Sequence, residues 1–379
     1  MFNKNYIYAI SSMIGTSVGV GIFSLPYVAS KSGFIYFIVL IVLLGIVTII
    51  LNLMYGEITL RTIDKGRLVG YCEKYLGKKG KIIATIITLF TLYSSMLAYI
   101  IIGGVFMNAV FSPSLGGSEF SYSLIMFIFI SIGIYISLKL ISVIEFLMVV
   151  FLFVAIFGII VKGIPIVDVN NLMTYNSSQF FFPFGAILFS LGALAAIPEL
   201  EHIMKKRQKR IKDVIILGNI IPIVVYIFFV IVVLGITGAE TSKEALYGLS
   251  ISVGNGIVTI GLIFGVFAIA TSFLMLGVSL KEMFWYDYHL SEKKAWALTC
   301  FVPLVVFILG LRDFITVVNI AGGIAGGFVG LLIISIFYKA KKVGDLKPAY
   351  EIKVPLIISF IMILVYIAGI IFSIYEHLL

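Results

Sequence analysis

Long apolar runs constrain this chain more than any other feature. Eleven of them are long enough to cross the roughly 30 Å hydrocarbon core of a bilayer, at residues 6–30, 34–60, 82–111, 121–139, 142–163, 180–200, 212–237, 252–283, 294–311, 313–338 and 353–376. In hydrocarbon, backbone N–H and C=O groups must find partners within the protein, and a long apolar run achieves this as a helix. We therefore predict an all-α polytopic membrane protein.

The composition agrees with this interpretation. Hydrophobic residues make up 61% of the chain, charged residues 12%, and the mean hydropathy is +1.18, whereas about 25% of the residues in a soluble domain are charged. The first apolar run leads directly into further runs and is followed by no small-residue cleavage site. We therefore expect it to be retained as a span.

The net charge of +9 is distributed unevenly among the loops. If the N-terminus is cytoplasmic, the basic residues that fall outside are four of the 27, namely Lys31, Lys162, Lys243 and Arg312. This bias predicts a plasma-membrane protein with a cytoplasmic N-terminus and, given an odd number of spans, an extracytoplasmic C-terminus. We interpret the basic run 205–210 as a topology anchor beside anionic lipid, so membrane lipid is an expected partner and nucleic acid is not.

The first and the sixth apolar runs each combine a patch of small residues with a proline after it. The first reads Gly15-Thr-Ser-Val-Gly-Val-Gly21 and continues to Pro26; the sixth has a small-residue patch before Pro198. Matched breaks five spans apart predict an inverted repeat, with residues 1–163 and 164–338 as its halves and 339–379 as a loop and an eleventh span, and a binding site near the midplane. The alternative is that these glycines only permit close helix packing, since Gly15 and Gly19 stand four residues apart.

At these breaks the chain resembles the amino acid/auxin permease family and its hydroxy/aromatic amino acid permease relatives, within the amino acid–polyamine–organocation superfamily. The motifs that carry the resemblance are Gly15-Thr-Ser-Val-Gly-Val-Gly-Ile-Phe-Ser-Leu-Pro26 and Phe189-Ser-Leu-Gly-Ala-Leu-Ala-Ala-Ile-Pro-Glu199. The resemblance covers nearly the whole chain and implies a LeuT-type fold, with a 5+5 inverted repeat and broken helices 1 and 6. It also implies secondary transport of an amino acid coupled to Na⁺ or H⁺.

The same resemblance implies where the substrate binds. The amides of Val20 and Gly21 would hold the substrate carboxylate, and Gly19 lies in the same break. The carbonyl of Ser17, with that of Phe189 or Ser190, would receive the ammonium. A broken helix offers both kinds of group without a charged side chain, because its amide and carbonyl ends carry opposite partial charges.

Three further features complete the predicted substrate site. Ser95 and Tyr99 share a face of span three, and we favour Tyr99 as a carboxylate partner, the alternative being a packing residue. Gly192 and Ala193 leave room for the substrate side chain. Phe189 and Phe267 suggest an apolar pocket, which favours a neutral, aromatic or branched substrate.

Span eight contains a candidate cation site. The hydroxyls of Thr271 and Ser272 and the carbonyl of Ala268 could combine with the carbonyls of Gly15 and Val18 to hold Na⁺; the alternative is that the hydroxyls bond to their own helix. Span five lacks a central lysine, which favours Na⁺. Glu145 and Glu199 remain candidates for a gate or a proton relay, or for structural ion pairs.

Other chemistry finds no support in the sequence. Cys72 and Cys300 lie far apart, the three histidines are scattered, and neither a catalytic constellation nor a phosphate-binding loop is present. We expect no enzyme activity, no cofactor beyond the coupling ion and no obligate protein partner. A secondary transporter is the favoured interpretation, with a transporter-like receptor or an ion channel as alternatives.

Overall fold

The computed structural model describes residues 4–64, 66–136, 141–205, 207–246, 249 and 255–378, without the side chains of 141–149, 255, 257, 286, 287, 377 and 378. Regular structure in these ranges is helical. The α-helices are α1 (Lys4–Ser17), α2 (Leu25–Ser32), α3 (Phe34–Arg61), α4 (Leu68–Leu115), α5 (Glu119–Ile136), α6 (Ile141–Gly163), α7 (Phe184–Ser190), α8 (Ile197–Ile203), α9 (Ile211–Thr237), α10 (Asn255–Glu282), α11 (Glu292–Ile308), α12 (Phe314–Ile320), α13 (Gly327–Val343) and α14 (Leu356–Leu378).

In the described residues, every predicted span coincides with a helix or with a broken helix pair. Within the described ranges, eight helical segments are long and apolar enough to cross a membrane, or nine if α1 and the bent segment after it count as one span. The two remaining spans are α6, which is apolar over its described part Val150–Ile166, and α11, which has 17 residues. At 1.5 Å per residue α11 is about 25 Å long, just short of the bilayer core.

One expected loop is largely helical. Residues 61–81 read as a basic loop, yet α4 begins at Leu68 and continues through a single interruption at Gly77, where φ is +74°. The reason is amphipathic spacing, since Tyr71, Cys72 and Tyr75 point inward while charged residues occupy the other face. Glycine allows the interruption because it has no Cβ to clash at positive φ.

The two predicted breaks follow the same order of elements. In span one, α1 ends at Ser17, a 3-10 helix covers Val20–Ser24, and α2 has Pro26 in its first turn; the two parts of the span are bent by 45°. In span six, α7 ends at Ser190, a 3-10 helix covers Leu194–Ala196, and α8 has Pro198 in its first turn. Proline suits a first turn, where its missing N–H would have no helical acceptor.

The buried apolar residues form two clusters that meet at the breaks. On span one, Met13 belongs to one cluster and Val18 to the other; on span six, Ala193 and Leu191 divide in the same way. The cluster that contains Met13 lies on the side of the N-terminus, and the other lies on the opposite side. The breaks are therefore at mid-depth in the molecule, as the inverted repeat predicts.

Candidate functional site

The two breaks lie in direct contact. A Cβ atom placed on Gly21 would be 2.5 Å from Ser190 Oγ and 2.9 Å from Ser190 Cα. Both residues are buried. Since Val20 and Gly21 begin the 3-10 helix of span one, their N–H groups lack partners within that helix. These first amides of the 3-10 helix thus stand beside the carbonyl end of α7, a combination suited to a zwitterion.

Tyr226 of α9 connects the carbonyl ends of both broken helices, and sequence reasoning missed it. Its hydroxyl lies 2.8 Å from the carbonyl oxygen of Ser17 and 2.8 Å from that of Ser190. The tyrosine is 0% exposed. Its central position in an otherwise apolar span was an available signal, because a buried phenol requires a hydrogen-bond partner at that depth.

The predicted wall from span three is present in part. The Tyr99 hydroxyl is 3.8 Å from where a Cβ of Gly19 would lie, and the Tyr99 ring is 6.3 Å from that of Phe273 in α10. Tyr99 therefore lies beside the break in span one. The Ser95 hydroxyl instead donates to the carbonyl of Thr91 in its own helix, at 2.9 Å.

Of the two phenylalanines expected to line an apolar pocket, one lies at the site and the other does not. Phe267 is 53% exposed on the outer surface of α10, so its assignment to the pocket was wrong; a helix-face error of this kind arises because all faces of span eight are apolar. Phe189 does lie at the site, with ring atom Cδ1 3.1 Å from the Cβ position of Gly21. Of the two small residues after it, Gly192 is exposed and Ala193 is buried.

Span ten supports the first half of span six. It is interrupted by a π-helix at Ala321–Gly326, between α12 and α13. The side-chain oxygen of Asn319 accepts a hydrogen bond of 2.8 Å from the N–H of Ala186, near the start of α7. A Cβ on Gly322 would lie 1.8 Å from the carbonyl oxygen of Gly185, so the two backbones are in contact. This contact holds α7 in place.

The candidate cation site in span eight stays a prediction. The Thr271 hydroxyl donates to the carbonyl of Ala268 at 3.0 Å, the bond to its own helix that was the alternative interpretation. Val18 is buried and Gly15 is half-buried, and Ser272 is half-buried in α10. Among the described residues, His, Cys, Asp and Glu form no group that could hold a metal ion.

The acidic candidates differ in environment. The Glu199 side chain is 59% exposed and lies 3.8 Å from Arg67, an arrangement that fits the structural ion-pair interpretation. The side chain of Glu145 lies outside the described residues. Glu57 is the fully buried carboxylate near the end of span two, paired with Arg61 at 2.8 Å.

Comparison of the whole fold places these breaks in a known architecture. The chain is similar to MhsT, solved in complex with L-phenylalanine, with a TM-score of 0.63, 15% sequence identity and 97% of each chain covered. The likeness shows the LeuT-type fold that the family resemblance implied. A family model over nearly the whole chain and relatives that are transporters make this protein a membrane transporter of amino acids and not an enzyme. Within this class, the chain belongs to the Tryptophan/tyrosine permease family, which matches residues 3–373.

The relatives of this chain are named as transporters of different amino acids. The chain is 25% identical to Tyrosine-specific transport system 1 of Haemophilus influenzae over 350 residues, with 86% of each protein covered. It is 26% identical to Tyrosine-specific transport system 2 of the same organism, with 89% of each covered. It is 24% identical to Glutamine transporter 2 of Aliivibrio fischeri, covering 81% of this chain and 82% of that protein. These findings confirm the resemblance to hydroxy/aromatic amino acid permeases.

Proposed function

We propose that this protein is a secondary active transporter of aromatic amino acids, with L-tyrosine as the first substrate to test. The observation that supports the proposal most directly is the contact between the two helix breaks at mid-depth. There the carbonyls of Ser17 and Ser190 approach one point, and the first amides after the break in span one lie beside them. These groups match the ammonium and carboxylate of one amino acid.

An aromatic side chain suits the surroundings of this point. Phe189 and Tyr99 flank the break in span one, and the Tyr99 ring lies near Phe273. Ring–ring contacts of this kind favour an aromatic over an amide side chain. The tyrosine transport systems among the relatives support this choice, whereas the glutamine transporter makes glutamine the competitor to exclude.

Counterflow in proteoliposomes tests the transport. Vesicles preloaded with unlabelled L-tyrosine and diluted into labelled L-tyrosine are expected to accumulate label transiently, because a carrier exchanges the two pools. Protein-free vesicles are the control. L-Phenylalanine is expected to suppress the signal and L-glutamine is not. Suppression by glutamine alone would reverse the substrate assignment.

Two other functions would give different results in the same vesicles. A transporter-like receptor would bind labelled L-tyrosine without accumulating it. A channel would equilibrate the label without the transient excess that exchange produces. Either pattern would contradict the proposed carrier mechanism, in which the molecule alternates access to the mid-depth site from the two sides.

Coupling to Na⁺ through the oxygen atoms of span eight is the second part of the proposal, with H⁺ as the alternative. Uptake is measured with Na⁺ replaced by choline, and then with an imposed pH gradient. Thr271→Ala and Ser272→Ala are expected to lower the Na⁺-stimulated part of uptake about tenfold each, the loss of one charge-assisted oxygen contact. Ser335→Ala is the matched control, because Ser335 also bonds to its own helix, at the carbonyl of Leu331. Unchanged Na⁺ stimulation in both variants would exclude this ion site.

The proposed location is the plasma membrane, with a cytoplasmic N-terminus. This proposal rests on the concentration of basic residues in the loops that share the N-terminus's side of the membrane. An alkaline phosphatase domain fused after residue 379 is expected to be active, because it would be exported. A fluorescent protein fused there is expected to stay dark, and the reverse result would invert the topology.

A further inference from the structure

The Tyr226 hydroxyl occupies the point at which the two broken helices end. It lies 2.8 Å from the carbonyl oxygen of Ser17, the last residue of α1, and 2.8 Å from that of Ser190, the last residue of α7. One atom of span seven therefore touches both breaks. Since the ring is fully buried, water does not reach the hydroxyl from the surface.

Around the Tyr226 hydroxyl, hydrogen-bond acceptors outnumber the donors that face them. A phenol has one proton, which it donates to one carbonyl at a time, while each carbonyl can accept two hydrogen bonds. The Ser17 carbonyl also accepts from the N–H of Gly19, at 3.0 Å. The Ser17 hydroxyl is buried too and has no partner among the described residues, so its hydrogen-bonding capacity is also unused. Two carbonyl oxygens thus converge on a single phenol proton, and they and the phenol oxygen can accept further hydrogen bonds.

A primary ammonium group supplies what is missing. It offers three N–H donors and no acceptor, and its charge is favoured at the carbonyl ends of two helices. We propose that Tyr226 is a positioning residue for the ammonium of the substrate. Its hydroxyl keeps the Ser17 and Ser190 carbonyls at one point. When the substrate binds, the phenol oxygen accepts a hydrogen bond from the ammonium, or the phenol releases one carbonyl, which then accepts that hydrogen bond. This inference rests on the proposed function, in which those carbonyls receive the ammonium.

The consequence is that the protein distinguishes ligands that carry an amine from ligands that lack one. A positioning role for Tyr226 makes the protein prefer L-phenylalanine to 3-phenylpropionate, which has the same ring and carboxylate and lacks the amine. Removing the hydroxyl lowers that preference. A role in packing alone would weaken the binding of both compounds in the same proportion.

The test compares Tyr226→Phe with wild type. Inhibition of labelled L-tyrosine counterflow is measured for L-phenylalanine and for 3-phenylpropionate. The readout is the ratio of the inhibition constant of 3-phenylpropionate to that of L-phenylalanine, which is high when the amine is recognised. We expect Tyr226→Phe to lower the ratio about tenfold or more, the loss of one hydrogen bond to a charged group. Tyr366→Phe is the matched control, because Tyr366 is equally buried in span eleven and its hydroxyl has no partner among the described residues. Its ratio is expected to equal that of wild type.

A second variant covers the case in which Tyr226→Phe does not fold. Difluorotyrosine introduced at position 226 keeps the ring and the hydroxyl and makes the oxygen a poorer acceptor, so the ratio is again expected to fall. If the wild type transports L-tyrosine and the ratio is unchanged in either folded variant, the proposed role of Tyr226 is wrong. A wild type that neither binds nor exchanges L-tyrosine would instead overturn the proposed function.

Discussion

Gly21 stands where the backbones of the two broken helices come closest. Position 21 requires glycine because Ser190 lies so close: a Cβ there would be 2.9 Å from the Cα of Ser190. An unusual φ angle is not the reason. A hydroxyl can rotate away from such a contact, but a Cα cannot move without shifting the chain. The residue therefore sets the distance between the amides of span one and the carbonyl end of span six.

Gly21→Ala is expected to reduce L-tyrosine counterflow by more than about tenfold, because overpacking of a close contact costs about 1–3 kcal/mol. Gly256→Ala is the matched control: among the described residues, no atom outside the glycine's own helix lies within 4 Å of the added Cβ. Both rates are normalised to the amount of protein in the vesicles. Wild-type exchange by Gly21→Ala would mean that the two breaks are not held in this contact during transport.

At this scale the sequence predicted the backbone part of the site better than its side chains. Glycine and proline report their conformational needs directly, so the break around Gly19 and the break after Ser190 were visible. Tyr226 was one of 20 tyrosines, and its partners are backbone atoms more than 30 positions away in the chain. The directions of the Ser95 and Thr271 hydroxyls depend on rotamers, which a residue pattern does not specify.

Among the elements, the π-helix in span ten has the most direct influence on the site. Its wider turn brings Gly322 against Gly185 of α7, while Asn319 just before it accepts from the N–H of Ala186. A π-helix inside an α-helix is rare and is frequently found at functional sites. Span ten therefore holds the half-helix that presents Ser190.

Gly322→Ala is expected to abolish counterflow and to lower the melting temperature of the purified protein, because its Cβ would overlap the Gly185 carbonyl and approach the Phe189 N–H. Gly326→Ala is the control from the same π-helix, since its Cβ would have only an ordinary contact of 3.8 Å with Leu188. The two melting temperatures are compared by thermal denaturation in detergent. Equal values would contradict a tight contact between span ten and α7.

Apolar runs and breakers predicted the spans to within a few residues, because membrane thickness fixes their length. The π-helix was beyond such reasoning: the small residues of 321–327 indicate close approach, but they fit an α-turn equally well. The helical start of α4 was missed for a different reason. Its charged residues resemble a loop in composition, and only their spacing reveals the buried face.

For the molecule as a whole, a buried ion cluster holds together the side that contains the N-terminus. Glu57 in span two is 0% exposed; it lies 2.8 Å from Arg61 and 3.9 Å from Lys341 in span ten. Its second oxygen accepts from the N–H of Ile352 at 2.7 Å. Span two, span ten and the linker before span eleven are thereby joined at one carboxylate.

Glu57→Gln is expected to lower the free energy of unfolding by about 2 kcal/mol, because it removes the buried counter-charge of Arg61 and leaves that side chain only its pair with the half-exposed Glu351, at 3.0 Å. Glu199→Gln is the control at an exposed pair, where a change of less than about 1 kcal/mol is expected. Denaturant titration in mixed micelles measures both. A loss no greater for Glu57→Gln than for Glu199→Gln would show that the cluster does not stabilise the fold.

The division of the apolar core at the breaks has a mechanical consequence. On spans one and six, each half-helix packs within its own cluster, and the two clusters meet at the interruption. Bending at that seam leaves most apolar neighbours in place and therefore costs little hydrophobic free energy. The resistance to bending falls instead on the few polar contacts at the seam. Under the proposed function, a bound cation or zwitterion would add polar contacts at this seam and so change its stiffness.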